Sequence, residues 1–178
     1  MTTPELSACL RQLLPRTEKE RRQFSETLLA ASRGESNLEL GSLRAYGLGL
    51  NRTPHTVEFD TGAQLSVCSP LHAVLAACIL RVNTRVRLYS MFSQAAFQFE
   101  IDRYGVAYGQ AGACVIALPK ADGVYCFSDT QVFHTPVEAR QWLVEHPDCE
   151  IIAPWQIHHA VSELFKDEAL NYVSTSPA

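Results

Sequence analysis

The chain has 178 residues, enough for one domain with its own core and cramped for two. Apolar residues make up 47% and charged residues 19%, the balance of an ordinary globular protein. A formal net charge of −4 without any basic stripe lacks the electrostatic footprint of a nucleic-acid binder.

The densest basic cluster, Lys19, Arg21 and Arg22, is interleaved with Glu18 and Glu20 and reads as a solvated helix face. No apolar run reaches the roughly 18 residues that a membrane span needs. Met1 to Leu14 lacks a basic region followed by an apolar stretch, so no secretory signal and a cytoplasmic location are expected. The six cysteines are then expected to be thiols rather than disulfides. The absence of a CxxC pair argues against a zinc ribbon or a thioredoxin motif.

In chain order, Pro4 to Leu14 carries Leu6, Leu10, Leu13 and Leu14 at helical spacing, and Pro15 breaks it. Thr17 to Ser32 predicts a second helix, with Thr17 and Glu20 as a capping box and Gly34 at the stop. Arg33 to Gly41 is polar and reads as a linker. Short strands are expected over Arg44 to Asn51, His55 to Asp60 and Gln64 to Val67, with Thr61-Gly62 as a turn. Ser69-Pro70 marks a helix start, and Leu71 to Arg81 predicts a strongly apolar, buried helix. Strands follow over Arg85 to Met91, Ala96 to Asp102 and Ala113 to Leu118, with another over Val124 to Phe127 crossing the core. Thr135-Pro136 opens a helix through His146. Glu150 to Ala153 is a short strand, and Trp155 to Leu170 a last helix. Strands cluster in the middle and helices at both ends, with one helix inserted. The expected fold class is therefore α+β, with central mixed or antiparallel strands. The expected division is an N-terminal helical segment, residues 1–40, and a core domain, residues 41–178.

Cys68 stands at the strand-to-helix junction Val67-Cys68-Ser69-Pro70. Free backbone N–H groups and the helix dipole there favour an anion, and a lowered thiol pKa is the usual result. A thiolate is both a nucleophile and a soft-metal ligand. The alternative is a small buried hydrophobe. His72, four residues on, reaches the same face of the first turn, where it could donate a proton, pair with the thiolate or bind a metal. It reads equally as a half-exposed helix histidine. Cys126 sits in the strand Val124-Tyr125-Cys126-Phe127 with Asp129 just beyond. Cys78 and Cys114 read as core packing, and Cys9 and Cys149 have no visible partner. Asp129, Tyr89 and His134 are weaker candidates for lining a site. The adjacent pair His158-His159 points two ways on a helix and makes a poor chelate.

The run Tyr46-Gly47-Leu48-Gly49-Leu50, then His55-Thr56-Val57-Glu58-Phe59-Asp60, then Leu65-Ser66-Val67-Cys68 and an apolar helix resembles the catalytic core of the organomercurial (alkylmercury) lyases. The resemblance continues through Thr84-Arg85-Val86, Ala111 to Pro119, Val124 to Phe127 with Thr135-Pro136 and Trp142, and Glu150-Ile151-Ile152. It covers roughly Arg44 to Leu170. Each motif is loose, and their order and spacing together make the match specific. The resemblance implies protonolysis of a carbon–mercury bond, with Cys68 as first thiol and Cys126 as second. Mercury is soft, and thiolates are the soft ligands a protein has. The family's aspartate, three residues after the first cysteine, is replaced here by Leu71. With a one-residue insertion at Pro70, His72 takes its place as the acid. Cys68, Cys126 and His72 could equally form a metal pocket. The N-terminus is expected to be too short for the family's full helical domain.

The implied activity is a lyase that needs no cofactor and retains Hg(II) or another soft ion as bound product or ligand. The expected partners are a small organometallic or thiol substrate and a metal-accepting protein, with neither nucleic acid nor membrane. Three other readings stay open: a soft-metal (Hg, Cu or Zn) binding module, a sulfur-handling protein acting in carbon–sulfur cleavage or persulfide transfer, and a partner-binding domain whose cysteines are only core.

Overall fold

The computed structural model describes residues 1–109 and 112–167. The fold class is α+β, with six helices and two antiparallel sheets among the described residues. Two helices open the chain, α1 (Thr3–Arg11) and α2 (Glu18–Ser32). Thr2 and Thr17 each form a complete capping box, with Glu5 and Glu20 respectively, so the local sequence alone starts both helices. Leu6, Leu10, Phe24 and Leu28 belong to the same core cluster as the sheet residues. The helical segment therefore shares its core with the rest of the chain.

The expected strand over Arg44 to Asn51 does not form. A short helix, α3 (Gly41–Arg44), is followed by turns, and only Leu48 makes a bridge, to Val67. Gly47 and Gly49 hold φ of +73° and +68°, which is left-handed backbone rather than extended. The apolar spacing there serves packing, not pleating.

The larger sheet runs in the order β2-β1-β3-β4-β5, with β1 (His55–Phe59), β2 (Gln64–Val67), β3 (Thr84–Ser90), β4 (Ala95–Ile101) and β5 (Val106–Ala107). Its buried face carries Val57, Phe59, Val67, Val86 and Leu88. On its solvent face Arg85 bridges Glu58 at 3.1 Å and Glu100 at 3.7 Å. The smaller sheet is built on β6 (Val115–Ala121), which pairs with β7 (Val124–Tyr125), β8 (Gln131–Phe133) and β9 (Cys149–Ile152). The strand expected to cross the core over Val124 to Phe127 is instead a two-residue edge pairing. It runs into a 3₁₀ turn at Phe127–Asp129. Helix α5 (Pro136–Leu143) follows β8.

Between the sheets and the last helix, α6 (Pro154–Asp167), lies α4 (Pro70–Leu80). Every residue of α4 is buried. A helix apolar all round belongs inside a core, and each of Leu71, Val74, Leu75, Ile79 and Leu80 gains roughly 1.5–3 kcal/mol from burial. The part of the last expected helix beyond Asp167 and residue Ala111 of the Leu-Pro strand motif lie outside the described residues. Among the described residues no helix is long and apolar enough to cross a membrane.

Candidate functional site

Strand β2 ends at Val67 and α4 begins at Pro70, so Cys68 and Ser69 form the two-residue link between them. The Cys68 N–H donates to the Gly47 carbonyl at 2.9 Å. That bond, with the Leu48–Val67 bridge, presses the Gly47 backbone against the thiol. A Cβ added at Gly47 would lie 2.5 Å from Cys68 Sγ, 2.9 Å from His72 Cδ2 and 3.2 Å from His72 Nε2. Cys68, His72 and the bare Cα of Gly47 thus share one small space. The structure brings together the first two residues singled out from sequence.

Ser69 occupies the N-cap position of α4 in extended backbone, yet its side chain makes no capping bond. Its Oγ donates to the Phe127 carbonyl at 3.0 Å and lies 2.8 Å from His72 Nδ1. A hydroxyl has one proton, and the Phe127 carbonyl can only accept. His72 Nδ1 must therefore donate to Ser69 Oγ, which leaves Nε2 as the unprotonated nitrogen of the neutral ring. Nε2 lies on the Gly47 side of the ring, the side on which the Cys68 sulfur also approaches that glycine.

Two electrostatic expectations change. Burial pushes the Cys68 thiol up, opposed by the nearby Ser128 and Ser69 hydroxyls, so the helix-dipole lowering expected at this junction is outweighed. Burial also pushes His72 down to about 4, so the ring is uncharged at neutral pH and no resting imidazolium supplies a proton. At rest the site is a neutral thiol beside a neutral imidazole.

Cys126 sits beyond β7 at the entry to the 3₁₀ turn. Its N–H donates to the Pro119 carbonyl at 2.9 Å, and its half-buried Sγ lies 3.9 Å from the Val124 carbonyl. The turn that follows packs on the head of α4. Phe127 receives the Ser69 bond, Ser128 stands by the Cys68 thiol, and Thr130 Oγ1 accepts from the Leu71 N–H at 3.3 Å. Among the described residues no three His, Cys, Asp or Glu side chains are gathered to hold a metal ion. Cys68, Cys126 and His72 form no such group, and the Cys126 sulfur lies by the Val124 carbonyl.

The remaining candidates lie apart from this pair. Cys78 and Cys114 are buried with their thiols pushed up, Cys114 to about 12. Asp129 is exposed on the turn. Tyr89 donates its N–H to His55 Nδ1 at 3.3 Å, and His134 packs edge-on to Phe97 at 4.2 Å. His158 Nε2 contacts the Asp102 carbonyl at 3.0 Å. A cavity of about 400 Å³ near Phe24, Ile79 and Leu164 is lined by the far end of α4, away from the thiol.

Sequence reading passed over Gly47, Ser69, Ser128 and Thr130 as site components. Gly47 stood in a quoted motif, but only its positive φ reveals why a side chain is excluded. Ser69 gave the signal of an ordinary cap. Nothing in the chain flags Ser128 or Thr130, whose roles depend on contacts some 60 residues away.

No protein-family model matches the sequence, and no curated protein does. Among solved structures, the chain is similar to the crystal structure of the mercury-bound form of MerB2. The match has a TM-score of 0.62 and 15% identity, and covers 96% of this chain and 100% of that one. At that identity the likeness establishes a shared fold.

Proposed function

We propose that the protein is an alkylmercury lyase-like enzyme that cleaves a carbon–mercury bond, with Cys68 as the first sulfur, Cys126 as the second and His72 as the group that moves the proton. The observation that supports this reading is that Cys68 and His72 close on the same bare Gly47, at the head of a buried helix in a fold shared with MerB2.

The chemistry follows from the groups present. As Cys68 Sγ bonds to the mercury of an alkylmercury cation, its proton passes to His72 Nε2. Cys126 adds as a second sulfur and releases its proton to water. The carbon–mercury bond then breaks, its electron pair stays on carbon, and His72 returns its proton there. Hydrocarbon leaves, and Hg(II) remains on two sulfurs. Two thiols and one alkylmercury cation thus give one hydrocarbon, one dithiolate-bound Hg(II) and one free proton. An imidazolium held near 4 gives its proton up readily. In this reading the Cys126 sulfur leaves its contact with the Val124 carbonyl to join the metal.

The test is hydrocarbon release from an alkylmercury salt by reduced protein. Release that stops in Cys68→Ser and falls at least a hundredfold in His72→Gln is expected. Equal release from wild type and Cys68→Ser would overturn the reading.

One observation favours a second reading. The first turn of α4 carries no acidic residue, so a soft-metal binding module, or a sulfur-handling protein on the same fold, is the alternative. Stoichiometric Hg(II) or Cu(I) binding that requires Cys68 and Cys126, without hydrocarbon release, selects the binding module. A persulfide or mixed disulfide trapped on Cys68 selects the sulfur-handling one. If a metal-accepting protein exists, it would take the ion from this sulfur pair.

A further inference from the structure

We infer that Ser69 is a positioning residue for the reactive pair: its hydroxyl fixes His72 in the Nδ1–H form with a bare Nε2 on the Gly47 side that Cys68 shares, and ties the ring to the turn that carries Cys126. This deepens the functional reading and rests on it only for the identity of the substrate.

Three observations point the same way. First, Ser69 stands where a serine ordinarily bonds a backbone N–H of the first helical turn, and here it makes no such bond. Second, the vacant task is done from elsewhere. Thr130, across the chain, accepts from the Leu71 N–H at 3.3 Å, while Pro70 has no N–H to satisfy. Third, in the resting site the freed hydroxyl donates to Phe127 O at 3.0 Å and lies 2.8 Å from His72 Nδ1, with the Cys68 sulfur also within its reach. Ser69 is itself 1% exposed and His72 5% exposed, so water does not substitute for either bond. A buried imidazole without this acceptor would favour whichever nitrogen found another partner. Protonation at Nε2 would then remove the base facing the thiol.

The Phe127 bond adds a second consequence. Phe127 directly follows Cys126, so displacement of that turn alters the acceptor of the Ser69 proton and, through it, the orientation of the ring. Ser69 therefore links the position of the second thiol to the readiness of the first.

The test uses the full chain and two readouts free of mercury. Nitrogen NMR of ¹⁵N-histidine-labelled protein at pH 7 is expected to show His72 protonated at Nδ1 alone. Iodoacetamide labelling, followed by mass spectrometry, gives the rates at Cys68 and Cys126. In Ser69→Ala, His72 is expected to gain the Nε2–H form, and Cys68 labelling to slow about tenfold, at the modest end of what a general base supplies. Cys126 labelling should change less than twofold. Ser69→Thr keeps the hydroxyl and is expected to restore both signals. An Nε2–H ring in the wild type would overturn the inference, as would an unchanged tautomer in Ser69→Ala. So would equal slowing in the alanine and threonine variants. Absence of hydrocarbon release would count against the lyase reading and leave these outcomes untouched.

Discussion

At the scale of single residues, Gly47 has the least tolerance in the site. Its φ of +73° is costly for any residue with a side chain, and an added methyl would fall 2.5 Å from Cys68 Sγ. Left-handed backbone costs a non-glycine residue about 1 kcal/mol, and forced overpacking adds about 1–3 kcal/mol. Gly47→Ala is therefore expected to lose roughly 2–3 kcal/mol in a urea melt and to slow Cys68 labelling, because sulfur and ring must both move. A variant with wild-type stability and labelling would show that the close approach is not constraining. The same residue marks a limit of sequence reading. Cys68 and His72 were legible because their side chains carry chemistry at helical spacing. Gly47 acts by having no side chain, and Ser69 by not making the bond its position predicts.

At the scale of elements, α4 is held at its head by groups from the turn after β7 rather than by its own cap. Thr130→Val removes the acceptor for the buried Leu71 N–H and is expected to cost on the order of 1–2 kcal/mol, with Thr130→Ser largely neutral. If valine were neutral in thermal denaturation, the cross-chain cap would have no energetic weight. This arrangement also explains which elements the sequence foretold. Helices α1, α2 and α4 start on local signals, the two capping boxes and Ser69-Pro70, and lie close to their expected positions. Strands β1, β2, β3 and β4 follow their alternating pattern. The Arg44 to Asn51 segment was misread because glycines spaced among apolar residues imitate a strand until their backbone angles are known. The short strands β5 and β8 were missed because two or three residues hold no period, and their pairing depends on distant partners.

At the scale of the whole molecule, two buried histidines couple stability to acidity. Burial pushes both His55 and His72 down to about 4 from an ordinary value of 6.5. Below 6.5 the unfolded chain binds protons that the folded chain refuses. Stability is thus fully present above about pH 6.5 and declines as the pH falls toward 4. A loss on the order of 3 kcal/mol per histidine is expected across that window, measured by urea denaturation. His72→Gln should flatten part of the decline, and an unchanged slope would assign the effect to other groups. Both sheets and every helix but α5 supply residues to the core cluster, which runs from Leu6 to Leu164.

The protonated resting state of Cys68 has a consequence for its exposure to oxidants. Peroxide attacks the sulfur anion, and its products climb from sulfenic to irreversible sulfinic and sulfonic acids. A thiol that burial keeps neutral presents little anion to peroxide. The same packing that holds the thiol above its ordinary pKa therefore protects the sulfur from permanent damage.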